Sequence, residues 1–431
     1  MKKKIALLLI LCITMVGLVG CINKRRIKEK GNESEVKQET AETEEKELKV
    51  NKKPLPDAYD FGKVSSLEEL KNKWSYLDLR GYNLQSVDLS QSKEDILGCD
   101  FDSQTLWPEK LPEGFNPTEY LDFHKDPGLG LKKLHEKGIT GKGINIAFID
   151  YALLIDHEQY KGRVKYYDVV HSSMMLAQMH ASAVVSIAAG KDTGVAPEAD
   201  IFAIESENYD ITSEIMEEDF TWTAQAIDKI IEINKQLPEN DKIRVLSISG
   251  GGVPERKGYD EFIAAINRAK EEKIFVVTLN LFETYADKFY FQGLDINPLC
   301  DKNDLSAYRV TEWNEWLSKV EHVKGTKEYY IEKFMKKKPK EILLLPIDSK
   351  TVASQGGNED YVFYRQGGWS WCMPYIAGLY ALCCQVDKDI TPEEFWTKAL
   401  ETGDERSFEN DGVSCIGKIV NPEKLIEAVK K

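Results

Sequence analysis

Residues 144–150 read INIAFID, an almost unbroken apolar run closed by a carboxylate. A strand with one wet face would carry a polar side chain at every second position. This one does not, so it is expected to be buried on both faces, as in a parallel sheet. Three further runs share its character: 201–204 (IFAI), 245–248 (VLSI) and 274–279 (IFVVTL). Between them, 183–189 and 223–235 have helical character. Alternating β and α with fully buried strands predicts an open α/β domain. Its sheet is doubly wound and mostly parallel, with helices on both faces. Ligands and chemistry belong at the C-terminal ends of such strands, and Asp150 stands at one of them.

Working outward, the α/β pattern fills residues 127–431. Residues 56–126 form a smaller globular segment, in which Asp78-Leu79, Asn83-Leu84 and Asp88-Leu89 recur every five residues. That spacing resembles a pentapeptide repeat, whose small coil buries one leucine per side. An ordinary loop closed by Asx-turns reads equally well. Residues 21–55 are rich in Lys, Glu, Asn and Thr and have too few apolar side chains to offset their ordering entropy, so a flexible tether is expected. Residues 1–20 place Lys2, Lys3 and Lys4 before an uncharged run that is short for a spanning helix, the layout of an export signal. The run ends Leu18-Val19-Gly20-Cys21, which resembles a bacterial lipobox. Lipid on Cys21 would hold the protein at the extracytoplasmic face of the cell membrane. The alternative is an uncleaved anchor with Cys21 incidental.

The composition sets further bounds. Of 431 residues 42% are hydrophobic, enough for a large core, and 57 basic against 72 acidic side chains leave a net charge of −15. Such a surface repels nucleic-acid phosphates, and nucleic acid is excluded as a partner. Outside the signal, Cys99, Cys300, Cys372, Cys383, Cys384 and Cys415 follow no framework spacing and are expected to be mostly buried free thiols. Gly138-Ile-Thr-Gly141-Lys142-Gly143 lacks the spacing and the Ser/Thr of a phosphate loop, and His135-Glu136 lacks the second histidine of a zinc-protease helix.

What remains is a set of residues suited to acyl transfer. His180 opens the small-residue run Ala181-Ser182-Ala183-Val184-Val185-Ser186, and Asn280 ends IFVVTLN. Ser370 follows Gly367-Gly368-Trp369 at the head of an apolar helix in which Pro374 fits the first turn. A serine hydroxyl needs an imidazole to take its proton, and a carboxylate fixes the tautomer of that imidazole. Asp, His, Ser is one of the chain orders known for this geometry. Singly, Asp150 or Ser370 reads as a helix cap, His180 as a core histidine and Asn280 as a turn residue. Their order and context make the case.

Those contexts resemble the subtilisin-like serine proteases. The stretch 138–158, GITGKGINIAFIDYALLIDHE, is similar to the family's aspartate motif. His180-Ala-Ser-Ala-Val-Val-Ser stands where the histidine motif falls, and Gly194-Val-Ala-Pro-Glu-Ala-Asp-Ile201 matches the sequence after it. Gly368-Trp369-Ser370 through Gly378 resembles the serine motif, with the proline in register. The resemblance implies Asp150, His180 and Ser370 as a catalytic triad and Asn280 as the oxyanion donor. It also implies Ser249, Gly250 and Gly251 as a strand that pairs with an extended peptide. Departures fall at Tyr151-Ala152, Ala181, Ala183, Leu279 and Trp369; the last two alter loops that shape the oxyanion hole and primary pocket. The family often carries structural calcium, but no ligand set transfers to this chain, and no cofactor or metal is expected. The implied function is a membrane-tethered, monomeric serine endopeptidase acting on an extended peptide or protein through an acyl-enzyme. The alternative is a catalytically inactive module of the same fold that binds peptides or protein partners.

Overall fold

A computed structural model describes residues 48, 50–71, 76–173, 175–209, 218–311, 328–329, 331–335, 339, 341–410 and 413–430. The expected signal, Cys21 and most of the expected tether lie outside these residues.

The run INIAFID forms β1 (Asn145–Asp150). It is followed by β2 (Val164–His171), α1 (Met179–Ala189), β3 (Asp200–Ser206) and α2 (Thr221–Gln236). Then come β4 (Ile243–Ile248), α3 (Tyr259–Glu271), β5 (Phe275–Val277) and, much later, α4 (Cys372–Val386). The five strands make one sheet in the order β2-β3-β1-β4-β5, every pairing parallel. Side chains along each strand alternate between two cores, which is why the sequence shows no polar stripe. Ile146, Phe148, Val245 and Phe275 pack with α1 and α4 on one face. Ala147, Ile149, Leu246 and Val276 pack with α2 and α3 on the other. The domain is α/β and doubly wound.

A second sheet carries Phe291–Ile296 and Ile342–Pro346 as parallel neighbours, with Val413–Ile419 beyond them. A third joins the hairpin Lys350–Ala353 and Tyr361–Tyr364 to Phe101–Asp102 of the N-terminal segment.

In that segment the coil and the Asx-turns are one structure. Leu79, Leu84 and Leu89 are fully buried, and their N–H groups bond to the carbonyls of Asp100, Leu106 and Lys110. Asp78, Asn83 and Asp88 each accept the N–H two residues on, from Arg80, Gln85 and Ser90. The inward leucines join Phe101, Tyr120, Tyr361 and Phe363 in a third core, so the segment is packed onto the α/β domain.

The tether ends earlier than its composition suggests. Asn51 N–H donates to Tyr167 C=O at 2.9 Å and Ala177 N–H to Leu55 C=O at 2.8 Å. The Lys52 ammonium lies 3.4 Å from buried Glu205. Residues 50 and 51 therefore pair with the outer edge of β2, where an uncovered strand would leave backbone groups unpaired, and Leu55 pairs with the segment that follows it. Among the described residues no helix is long and apolar enough to cross a membrane. Cys99, Cys372, Cys383 and Cys384 are buried free thiols, Cys300 is a half-buried one, and the Cys415 side chain is half-buried.

Candidate active site

Asp150 is the last residue of β1, so the sheet delivers its carboxylate to the C-terminal edge. The Tyr151 N–H donates to its Oδ1 at 2.8 Å, which fixes the plane of the carboxylate. His180 lies in the first turn of α1, whose buried face of alanines, valines and serines lets the helix sit close to the sheet. The two side chains meet. His180 Nδ1 lies 2.9 Å from Asp150 Oδ1 and 3.0 Å from Oδ2, with both side chains under one-tenth exposed. A carboxylate can only accept, so Nδ1 carries a hydrogen, and in the neutral ring this leaves the lone pair on Nε2. Nε2 is buried and has no hydrogen-bond partner among the described residues. That is the state required of a general base awaiting a proton donor.

Ser370 sits in the one-turn 3-10 helix Trp369–Trp371 that leads into α4. This turn lies against α1, and the Trp371 ring stacks on the His180 ring at 5.9 Å and 21°. Tyr151 meets the same imidazole edge-on at 6.0 Å. Ser370 Oγ, however, donates to Ser249 C=O at 3.1 Å, while Ser249 Oγ donates to Ser370 C=O at 2.9 Å. The structure thus brings Asp150 and His180 into contact and sets the turn that carries Ser370 against α1, with the Ser370 hydroxyl bonded to Ser249.

Ser249, Gly250 and Gly251 follow directly from β4. Gly250 C=O accepts from Leu279 N–H at 3.1 Å and Thr278 Oγ1 at 2.6 Å, tying this run to the end of β5. At Gly251 a β-carbon would fall 2.6 Å from Asn280 Oδ1 and 2.8 Å from Leu279 Cβ, so only glycine allows this approach.

Asn280 is fully buried and its amide is engaged. Oδ1 accepts Gly252 N–H at 3.0 Å, and Nδ2 donates to Gly252 C=O at 3.0 Å, Tyr329 Oη at 3.1 Å and Glu283 Oε2 at 3.3 Å. The expected oxyanion donor therefore clamps the Gly250–Gly252 turn instead of standing open. Leu279, in place of a glycine, is not among the described residues with positive φ, so its side chain is tolerated there. Among the described residues no group of three or more His, Cys, Asp or Glu side chains is placed to hold a metal ion.

Sequence reasoning missed the bond that ties Ser249 to Ser370, because each residue presents a backbone carbonyl and no residue type announces that. It also missed Tyr329 and Glu283 as partners of Asn280. Tyr259 Oη donates to the same Glu283 Oε2 at 2.5 Å, so this carboxylate gathers hydroxyls beneath the turn.

A family model described as the Subtilase family matches residues 141–278. No curated protein matches the chain. Among solved structures the chain resembles the prenylagaramide maturation protease PagA, at 16% identity over 70% of this chain and 98% of that one, with a TM-score of 0.48. It also resembles a cold-adapted subtilisin-like serine proteinase, at 14% identity over 65% of this chain and 90% of the other, with a TM-score of 0.42. The matched family stretch runs from before β1 through the end of β5 and includes Asp150 and His180. With its central sheet inside that stretch, the α/β domain has the subtilisin-like fold.

Proposed function

We propose that the protein is a serine endopeptidase whose triad is Asp150, His180 and Ser370. The observation that carries this is the Asp150–His180 pair at 2.9 Å, with Nε2 left unpartnered beside the Ser370 turn. Rotation of the Ser370 hydroxyl away from Ser249 C=O would let His180 take its proton as the oxygen attacks a scissile carbonyl. His180 would hand that proton to the departing amine as the C–N bond breaks, leaving the acyl group on Ser370. Water would then attack the ester, giving its proton to His180, which returns it to Ser370 Oγ as the acid leaves. The oxyanion would be met by N–H groups of the turn that begins α4, since Asn280 is committed elsewhere. An extended peptide would lie along Ser249, Gly250 and Gly251.

The sequence further supports a lipid on Cys21 and tethering at the extracytoplasmic face of the membrane, with the undescribed residues before Leu48 as the leash. The site is proposed to work without a cofactor, in a monomer.

The test is a fluorophosphonate probe. Wild type should be labelled covalently and Ser370→Ala should not; equal labelling of both would remove Ser370 from the nucleophile's role. One observation favours a second reading, a peptide-binding module without turnover: the Ser370 hydroxyl is bonded to Ser249, not to His180. That reading predicts an unlabelled wild type that still binds extended peptides by calorimetry.

A further inference from the structure

The backbone just before Ser370 is held by a segment 265 residues earlier in the chain. Phe101 and Asp102 pair antiparallel with Phe363 and Val362. One step beyond that ladder, Asp100 Oδ1 accepts the Arg365 N–H at 2.7 Å. Beside it Arg80, itself buried, is gripped by Asp78 at 2.7 and 2.9 Å and donates to Tyr364 Oη at 2.9 Å. On the far side the Arg365 guanidinium bonds Asp348 at 2.6 Å. Gly367 follows with no room to shift, since a β-carbon there would fall 1.4 Å from Ile347 C=O and 2.2 Å from the Trp371 ring. Only Gly368, with open space around it, separates this anchored strap from the turn that carries Ser370.

We propose that Asp100 is a positioning residue for Ser370, which makes the N-terminal coil a permanent part of the site and not a segment to be shed. The inference rests on the serine chemistry proposed above. A backbone N–H held at 2.7 Å by a buried side-chain oxygen fixes the position of the strap directly after the Tyr361–Tyr364 strand. Asp100 is 3% exposed, and Arg80 beside it spends three of its N–H groups on Asp78 and Tyr364. The Asp100 side chain and the Arg365 N–H therefore hold each other in place.

The experiment compares full-length wild type with Asp100→Ala and Asp100→Asn. Its readouts are hydrogen exchange of amides 365–371, fluorophosphonate labelling rate and peptide kinetics. In Asp100→Ala, amides 365–371 should exchange at least tenfold faster while 145–150 stay protected. Labelling should slow at least tenfold, and kcat should fall with KM within twofold. Asp100→Asn keeps one acceptor and should fall between the two; if the alanine variant does not fold, the asparagine variant decides on the same readouts. Wild-type exchange and labelling in both variants would overturn the proposal. So would a probe-labelled species whose intact mass lacks residues 76–126. Exchange is read whether or not the protein labels, so an unlabelled wild type counts against the serine chemistry alone.

Discussion

Ser249 and Ser370 exchange hydrogen bonds, each hydroxyl donating to the carbonyl of the other, at 2.9 and 3.1 Å. The pair bridges the end of β4 to the turn before α4, so it couples the proposed peptide strand to the proposed nucleophile. It also parks the Ser370 hydroxyl away from the histidine. In this arrangement the Ser370 hydroxyl contributes little that the fold needs, because the reciprocal bond from Ser249 remains when it is removed.

Ser370→Ala should therefore leave stability within about 1 kcal/mol of wild type, the worth of one partly exposed hydrogen bond. Denaturant melts check this alongside the loss of probe labelling. A loss of several kcal/mol would mean that the residue is structural.

Asp150→Asn should yield a folded protein with a misoriented imidazole. The amide can offer Nδ1 an N–H where a carboxylate offered only acceptors, which disfavours the tautomer with Nε2 bare. Turnover should fall on the order of 10⁴-fold, as where a triad carboxylate becomes an amide. Steady-state kinetics with a cleavable peptide decide it, and a loss below tenfold would detach Asp150 from catalysis.

Asn280→Ala should act on stability first. It leaves the Gly252 N–H and C=O unpaired in a buried turn, at about 1–3 kcal/mol for each group left unsatisfied. Thermal melts should show a clear drop, and KM should rise because the Gly250–Gly252 run loses its clamp. A variant with an unchanged melting temperature and a kcat lowered a hundredfold would restore the side chain to the oxyanion.

His124 supplies the pH dependence. Burial, reinforced by the Lys302, Arg365 and Lys350 cations, pushes its ring down to about 2, while Nδ1 lies 2.9 Å from Ser349 C=O. The ring is neutral when folded and, with an ordinary value near 6.5, takes a proton when unfolded in acid. Below about pH 6.5 the unfolded state therefore binds more protons, and stability falls as pH falls, by about 1.4 kcal/mol per unit. Between pH 7 and 5 wild type should lose about 2 kcal/mol more than His124→Phe. Parallel denaturant series measure this, and equal losses would show that the ring titrates normally.

The central sheet was legible because its strands are buried on both faces, so INIAFID and IFVVTL carry the signal in composition alone. The Asp150–His180 pair was legible because strand end and helix start are local features that a parallel sheet brings together. The role of Asn280 was not. Residue type and position suit an oxyanion donor, but the choice between an open site and Gly252 is made by a turn folded back over it. The docking of the N-terminal coil was equally hidden. Leu79, Leu84 and Leu89 announce an inward face, yet nothing in them says that Phe363 completes their core. Asp100 looks like any surface carboxylate until Arg365 is brought against it.

That long-range ladder also sets an order of events during synthesis. Phe101–Asp102 has no strand partner until Tyr361–Tyr364 has been made. At about 5–20 residues per second, the 265 residues between Asp100 and Arg365 take on the order of tens of seconds to emerge. For that interval the coil must wait with Phe101 covered by Trp107, Phe115 and Tyr120 but not by Phe363, and the strap before Ser370 closes only once Asp100 and Arg365 have met.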